Sequence, residues 1–154
     1  MEYKIATEED IDGVLALLFI AKSEERVIAY VLSASWKFFS KWPMFQYMIG
    51  RLGEISYLDQ NLSTDNSYQY GPICIDKELR GSGVLENIFE FARREMNKKY
   101  PILITFVNIM NPRSVKAHID KLGLDTVMEF EYNNNIYLEL AYDTSKRIAN
   151  AVIL

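Results

Sequence analysis

At 154 residues the chain is long enough to bury one sizeable core, and 49% hydrophobic with 25% charged residues excludes a disordered composition. A net charge of −4 removes any global case for nucleic-acid binding, so a polyanionic ligand needs a local positive site. The apolar run at 14–21 is too short to cross a bilayer and follows acids where a secretion signal is basic, so the expectation is a cytoplasmic protein with no membrane partner.

In chain order, residues 3–6 suggest a short first strand. Thr7 followed by Glu8, Glu9 and Asp10 resembles a capped helix start. Residues 17–22 and 26–35 are strand-like, with a turn at Glu24-Glu25. From 36 to 52, large apolar residues recur every three or four positions, which predicts an amphipathic helix interrupted at Pro43. Residues 60–66 are polar and predict a loop, and 68–76 predict a strand.

Arg80-Gly81-Ser82-Gly83 then opens a helix to about residue 99, and 102–109 predict a strand buried on both faces. Asn111-Pro112 starts a helix that stops at Gly123. Strands at 126–132 and 136–142 flank Asn133-Asn134-Asn135, a hairpin signal because Asn tolerates positive φ. The tail from Asp143 has no clear assignment. No linker or repeat divides the chain, so one domain over 1–154 is expected, as a monomer or homodimer.

The chemistry concentrates after the 68–76 strand. A glycine-rich turn feeding a helix presents unpaired backbone N–H groups at the positive end of the helix dipole, which suits a phosphate or pyrophosphate. Two glycines ahead of a helix also make an ordinary tight turn, and the spacing fits neither a Walker A loop nor a dinucleotide fingerprint.

Arg80-Gly81-Ser82-Gly83-Val84-Leu85 resembles the pyrophosphate loop of the GNAT superfamily of acyl-CoA-dependent N-acyltransferases, Arg/Gln-x-x-Gly-x-Gly/Ala, with Leu85 where that family usually has Gly or Ala. The later block Asn108-Ile109-Met110-Asn111-Pro112-Arg113-Ser114, with the helix ending in Leu122-Gly123-Leu124, is similar to the family's second conserved block. The resemblance spans residues 68–142.

It implies an α+β fold: a central, mostly antiparallel sheet whose fourth and fifth strands splay apart, flanked by helices. It further implies acetyl-CoA as co-substrate, no metal, and acetyl transfer to a primary amine by direct attack. The pantetheine arm is expected along Ile73, Cys74 and Ile75. The phosphates are expected at Arg80, Gly81, Ser82, Gly83, Val84 and Leu85, with Asn108, Asn111 and Ser114 near the cofactor and Lys77, Arg113 and Lys116 as possible phosphate partners. A non-catalytic acyl-CoA-binding module on the same fold is the alternative.

The family often places a tyrosine acid on the helix after the fifth strand. Counting seven residues on from Asn111 reaches His118, whereas counting four back from Gly123 reaches Ile119, so this helix carries one extra residue. His118 is the candidate acid; a capping histidine is the plainer role. No general base stands out; Glu54, Tyr68 and Tyr70 could reach an acceptor pocket beside the fourth strand, with a structural role the plainer reading of each. Cys74 is expected to be a small buried residue. Trp36, Phe39 and Trp42 either line an acceptor site with Tyr70 or pack in the core. The family's paired helices between its first two strands have no room here, so the acceptor is open, with a small cationic amine slightly favoured by the chain's negative charge.

Overall fold

The computed structural model describes residues 1–152; residues 153 and 154, the end of the expected domain, lie outside the described residues. Nine strands and four helices are present among them: β1 (Glu2–Ile11), β2 (Val14–Ser23), β3 (Arg26–Ala34), α1 (Trp36–Phe39), α2 (Pro43–Arg51), β4 (Ser56–Tyr57), β5 (Gln60–Asn61), β6 (Ser67–Ile75), α3 (Val84–Asn97), β7 (Ile102–Asn108), α4 (Pro112–Lys116), β8 (Asp125–Tyr132) and β9 (Asn135–Asp143). Seven strands form one sheet in the order β1-β2-β3-β6-β7-β9-β8. Every neighbouring pair is antiparallel except β6 and β7. The expected α+β architecture is therefore present, with β6 and β7 as the fourth and fifth strands of the sheet.

The amino end departs from expectation. No helix follows Thr7; β1 runs on to Ile11 and turns back through Asp12 (φ 52°) and Gly13 (φ 79°) into β2. Asp-Gly between strands is a two-residue hairpin turn, because both central positions need positive φ. Glu8, Glu9 and Asp10 lie on an edge strand, where charge discourages pairing with another chain. The 36–52 region forms two helices, with Pro43 at the start of the second, where its missing N–H has no helical partner to lose. Within the expected 60–66 loop, Gln60–Asn61 pairs with Ser56–Tyr57 as a small separate hairpin.

β6 and β7 pair only at Ser67–Gln69 against Ile102–Ile104, then part. One extra residue stands in β6 between Tyr70 and Ile73 relative to β3, and Gly71 there has φ 110°. The bulge puts Tyr68, Tyr70, Ile73 and Ile75 on one face, in the core that α3 covers. A second core lies on the opposite face, where Trp36, Met48 and Leu52 meet Ile102, Ile104 and Phe130.

The tail after β9 folds back onto α3. Arg93 and Glu90, both buried, pair at 2.6 Å; Arg93 also donates to the Thr144 carbonyl at 2.6 Å, and Glu90 Oε1 accepts from the Ile148 N–H at 3.3 Å. Removing one member of a buried pair strands the other charge. Arg93→Ala is therefore expected to cost about 3–5 kcal/mol, read from the urea midpoint, and to expose the tail to proteolysis.

Candidate functional site

Where β6 leaves β7, an open cleft of about 670 Å³ forms between the outer half of β6, the start of α3 and the helix after β7. Ile73, Cys74 and Ile75 line its strand wall, Arg80, Gly81 and Leu85 its loop wall, and Asn111, Ser114 and His118 the third side. The structure thus brings together these nine residues, all singled out from the sequence, with Lys77 and Arg113 besides. Beyond Gln69 the edge of β6 that faces β7 has no strand partner among the described residues, so an extended chain has backbone groups to bond there.

Gly83 is the N-cap of α3, with φ 92°, and Gly81 precedes it with φ 80°. Positive φ at both positions explains the glycines, and a Cβ at either would meet open space. The first α3 bond runs from Asn87 N–H to the Gly83 carbonyl, so the amides of Val84, Leu85 and Glu86 lie ahead of the ladder. Lys77, Arg80, Arg113 and Lys121 line the cleft against the single carboxylate of Glu86. A protein of net charge −4 thereby carries a locally positive cleft. Lys116 is not part of this lining, whereas Lys121 is, although the sequence reading passed over it.

The helix after β7 absorbs its extra residue as a π turn. α4 runs to Lys116, and Ala117–Lys121 continues with the wider repeat. This turn carries His118, which is 5% exposed. Its Nδ1 lies 2.8 Å from the Ser114 carbonyl, an acceptor only, so Nδ1 carries the proton and donates. Nε2 is then the acceptor for the Tyr70 hydroxyl at 3.3 Å. Burial lowers the imidazole pKa, partly opposed by the Ser114 carbonyl, so the ring is held neutral with both nitrogens engaged.

Other named residues have different surroundings. Ser82 Oγ donates to the Leu79 carbonyl within the turn, and Val84 is buried in the core. Asn108 bonds Asn135 and the Met110 amide, shaping the approach to α4. Cys74 is exposed rather than buried, because the β6 bulge turns it away from the α3 core. Trp36 is fully buried and donates to Ser67 Oγ at 3.0 Å; Phe39 is buried too, while Trp42 is 43% exposed beneath the Lys41 ammonium. Glu54 is paired with Arg51, and the Tyr68 and Tyr70 phenols are fully enclosed, with burial raising both pKa values.

A buried carboxyl went unnoticed in the sequence. Glu139, on β9, is 2% exposed, and its Oε2 has no hydrogen-bond partner among the described residues. Burial pushes it up to about 7, with the Arg51 charge pulling the other way. Strand alternation reads Glu139 as solvent-facing, since Leu138 and Leu140 flank it, and only the α2 layer reverses that reading.

No protein-family model matches the sequence, and no curated protein is similar to it. Solved structures do share the fold. An N-acetyltransferase from Staphylococcus aureus Mu50 superposes with a TM-score of 0.54 over 84% of this chain and 68% of its own, at 18% identity. A spermidine N-acetyltransferase chimera from Vibrio cholerae and hSSAT gives 0.54 over 84% and 68%, at 15% identity. A CoA-dependent acyl-homoserine lactone synthase, solved with SAM and isopentyl-CoA, gives 0.59 over 84% and 58%, at 9% identity. The fold is that of the GNAT N-acetyltransferases.

Glu139 makes a stability prediction with a definite sign. Its folded pKa lies above the ordinary 4.5, so its contribution is fully present below pH 4.5 and is lost as pH rises through about 7. Glu139→Gln is expected to match wild type near pH 4.5 and to exceed it by about 3 kcal/mol above pH 7, from urea titrations at both pH values.

Proposed function

We propose that the chain binds acetyl-CoA in the cleft and transfers its acetyl group to a primary amine. The observation that carries this reading is the meeting of an unpaired β6 edge with a positively charged, glycine-built helix start in one cleft. That combination fits the two unlike parts of CoA. The amide-bearing arm needs backbone partners, and the pyrophosphate needs N–H groups and cations. We further propose that residues 1–154 form one domain carrying the whole site.

When bound, acetyl-CoA supplies the activated acetyl thioester. The N–H groups of Val84, Leu85 and Glu86, with Arg80 and Lys77, hold the phosphates. The β6 backbone at Ile73 to Ile75 aligns the arm, and one of its N–H groups polarises the thioester oxygen. His118 holds a proton on Nδ1 at the cleft wall, and its Nε2 bond to Tyr70 fixes the ring. In this role His118 first takes up at Nε2 the surplus proton of the attacking amine and then passes it to the departing thiolate, with the Tyr70 hydroxyl as its support.

The engagement of both His118 nitrogens within the protein also suits a module that binds acyl-CoA without turning it over. Thiol release separates the two readings: an enzyme releases CoA faster when an amine is added, and a binding module does not.

Two variants test the assignments. Gly83→Val places a β-branched side chain at φ 92°, at a cost of about 1–3 kcal/mol in stability. Its side chain enters the open space beside the α3 amides, and the loss of two charge-assisted bonds weakens CoA binding by at least about 100-fold in calorimetry. A folded Gly83→Val protein with wild-type affinity places the phosphates elsewhere. His118→Ala is expected to lower turnover about 10- to 1000-fold with CoA affinity unchanged, and Tyr70→Phe to lower it in the same direction. Unchanged turnover in both variants leaves the pair as packing.

A further inference from the structure

The point where β6 leaves β7 holds two buried polar side chains that the cofactor reading does not use. The last pair of the two strands is Gln69 with Ile104. In that parallel register the next acceptor on β6 is the Tyr70 carbonyl, and the next donor on β7 is the Phe106 N–H. The pairing stops there, and two side chains take the carbonyl instead. Thr105 Oγ1 donates to it at 2.8 Å and Gln69 Nε2 at 2.7 Å.

The two donors come from opposite faces of the sheet. Thr105 alternates along β7 between Leu103 and Val107, which lie in the α3 core, so it shares their face. Gln69 stands between Tyr68 and Tyr70 of that same core, so its side chain lies on the other face. Thr105 is 4% exposed and Gln69 2%. A carbonyl only accepts, so the Gln69 amide turns Nε2 toward it and leaves Oε1 without a partner among the described residues. An apolar side chain fills such a space with no unpaired oxygen, so what the amide adds is the bond it donates. A Cβ at Gly71 would lie 3.7 Å from Thr105 Oγ1 and 4.0 Å from Gln69 Nε2, so the bulge packs directly against both donors.

We propose that Gln69 and Thr105 are positioning residues that hold the β6–β7 gap open for the arm of the cofactor. The proposal rests on the CoA-binding reading above. With both its lone pairs taken, the Tyr70 carbonyl does not draw the Phe106 N–H across the gap. The β6 edge at Ile73 to Ile75 then stays free to bond an extended chain. The same clamp fixes the backbone of Tyr70, whose phenol meets His118 Nε2. Neither Gln69 nor Thr105 lines the cleft, so both act through β6 and not on the ligand.

The test pairs CoA calorimetry with amide hydrogen exchange on the whole chain, in Thr105→Val, Gln69→Met and the double variant. Each single variant leaves the carbonyl one donor and is expected to weaken CoA binding about three- to tenfold, the worth of one hydrogen bond. The double variant is expected to weaken it at least about thirtyfold, with exchange of the Phe106 amide slowed at least about tenfold as the ladder closes. Thr105→Ser keeps the hydroxyl and is expected to bind CoA as wild type does. Ser33→Ala removes an unpartnered buried hydroxyl from the β3 residue paired with Tyr70, and is expected to change neither readout. Circular dichroism confirms folding, and the single variants decide if the double one does not fold. Wild-type affinity in both Thr105→Val and Gln69→Met overturns the proposal, as does a folded double variant with unchanged Phe106 exchange. A loss in Ser33→Ala or Thr105→Ser equal to that in Thr105→Val overturns it too, because the effect is then one of packing. Wild type that binds no CoA defeats the CoA reading instead, and the exchange of Phe106 alone then decides whether the pair holds the strands apart.

Discussion

The site depends on one break in the sheet, the parting of β6 from β7 after Gln69. A parallel pair abandoned in mid-sheet normally leaves carbonyls without donors, and buried backbone groups seldom go unpaired. Here the Tyr70 carbonyl, the first beyond the break, accepts from Thr105 Oγ1 at 2.8 Å and from Gln69 Nε2 at 2.7 Å. Two side chains thus replace the missing ladder. Gly71, at φ 110°, and Pro72, which has no N–H, follow at once and carry the bulge. The Tyr70 carbonyl is thus satisfied at the break, and the cleft and the free β6 edge follow from the parting of the strands.

Much of this was legible because particular residues admit few conformations. Pro43 starts α2, Gly81 and Gly83 have positive φ, and Asn133 and Asn134 turn the β8–β9 hairpin with φ of 49° and 63°. Each of these restricts the backbone whatever packs around it. The misreadings arose where meaning depends on neighbours. Glu8, Glu9 and Asp10 resemble a helix start in isolation, yet they decorate an edge strand, and the hairpin signal lay just beyond them in Asp12-Gly13. Cys74 reads as buried until the bulge shifts its parity. Glu139 reads as exposed until α2 covers it. The extra residue before Gly123 was countable, but its accommodation in a π turn, which fixes where His118 points, is a property of the packed helix.

The two faces of the break differ in their electrostatics. The cofactor side gathers four cations around one carboxylate and keeps its imidazole neutral by burial. The other side buries a carboxyl with no partner on Oε2. Such a division separates a positive surface from a buried acid without any change in the net charge of the chain.

The face of the sheet opposite α3 is covered as well. In the family that the sequence resembles, helices between the first and second strands help to shape that region, but here β1 and β2 form a bare hairpin. The covering element is instead the α1–α2 segment, inserted between β3 and the small β4–β5 hairpin. Its aromatic residues divide by position: Trp36 and Phe39 anchor the segment in the core, Phe45 reaches Phe106 beside the break, and Trp42 stays at the surface. The segment is buried at its start, and the Phe45–Phe106 contact brings it over β7 at the row that pairs with Glu139. A cover built from residues far from the amino end leaves that end free to serve as an edge hairpin.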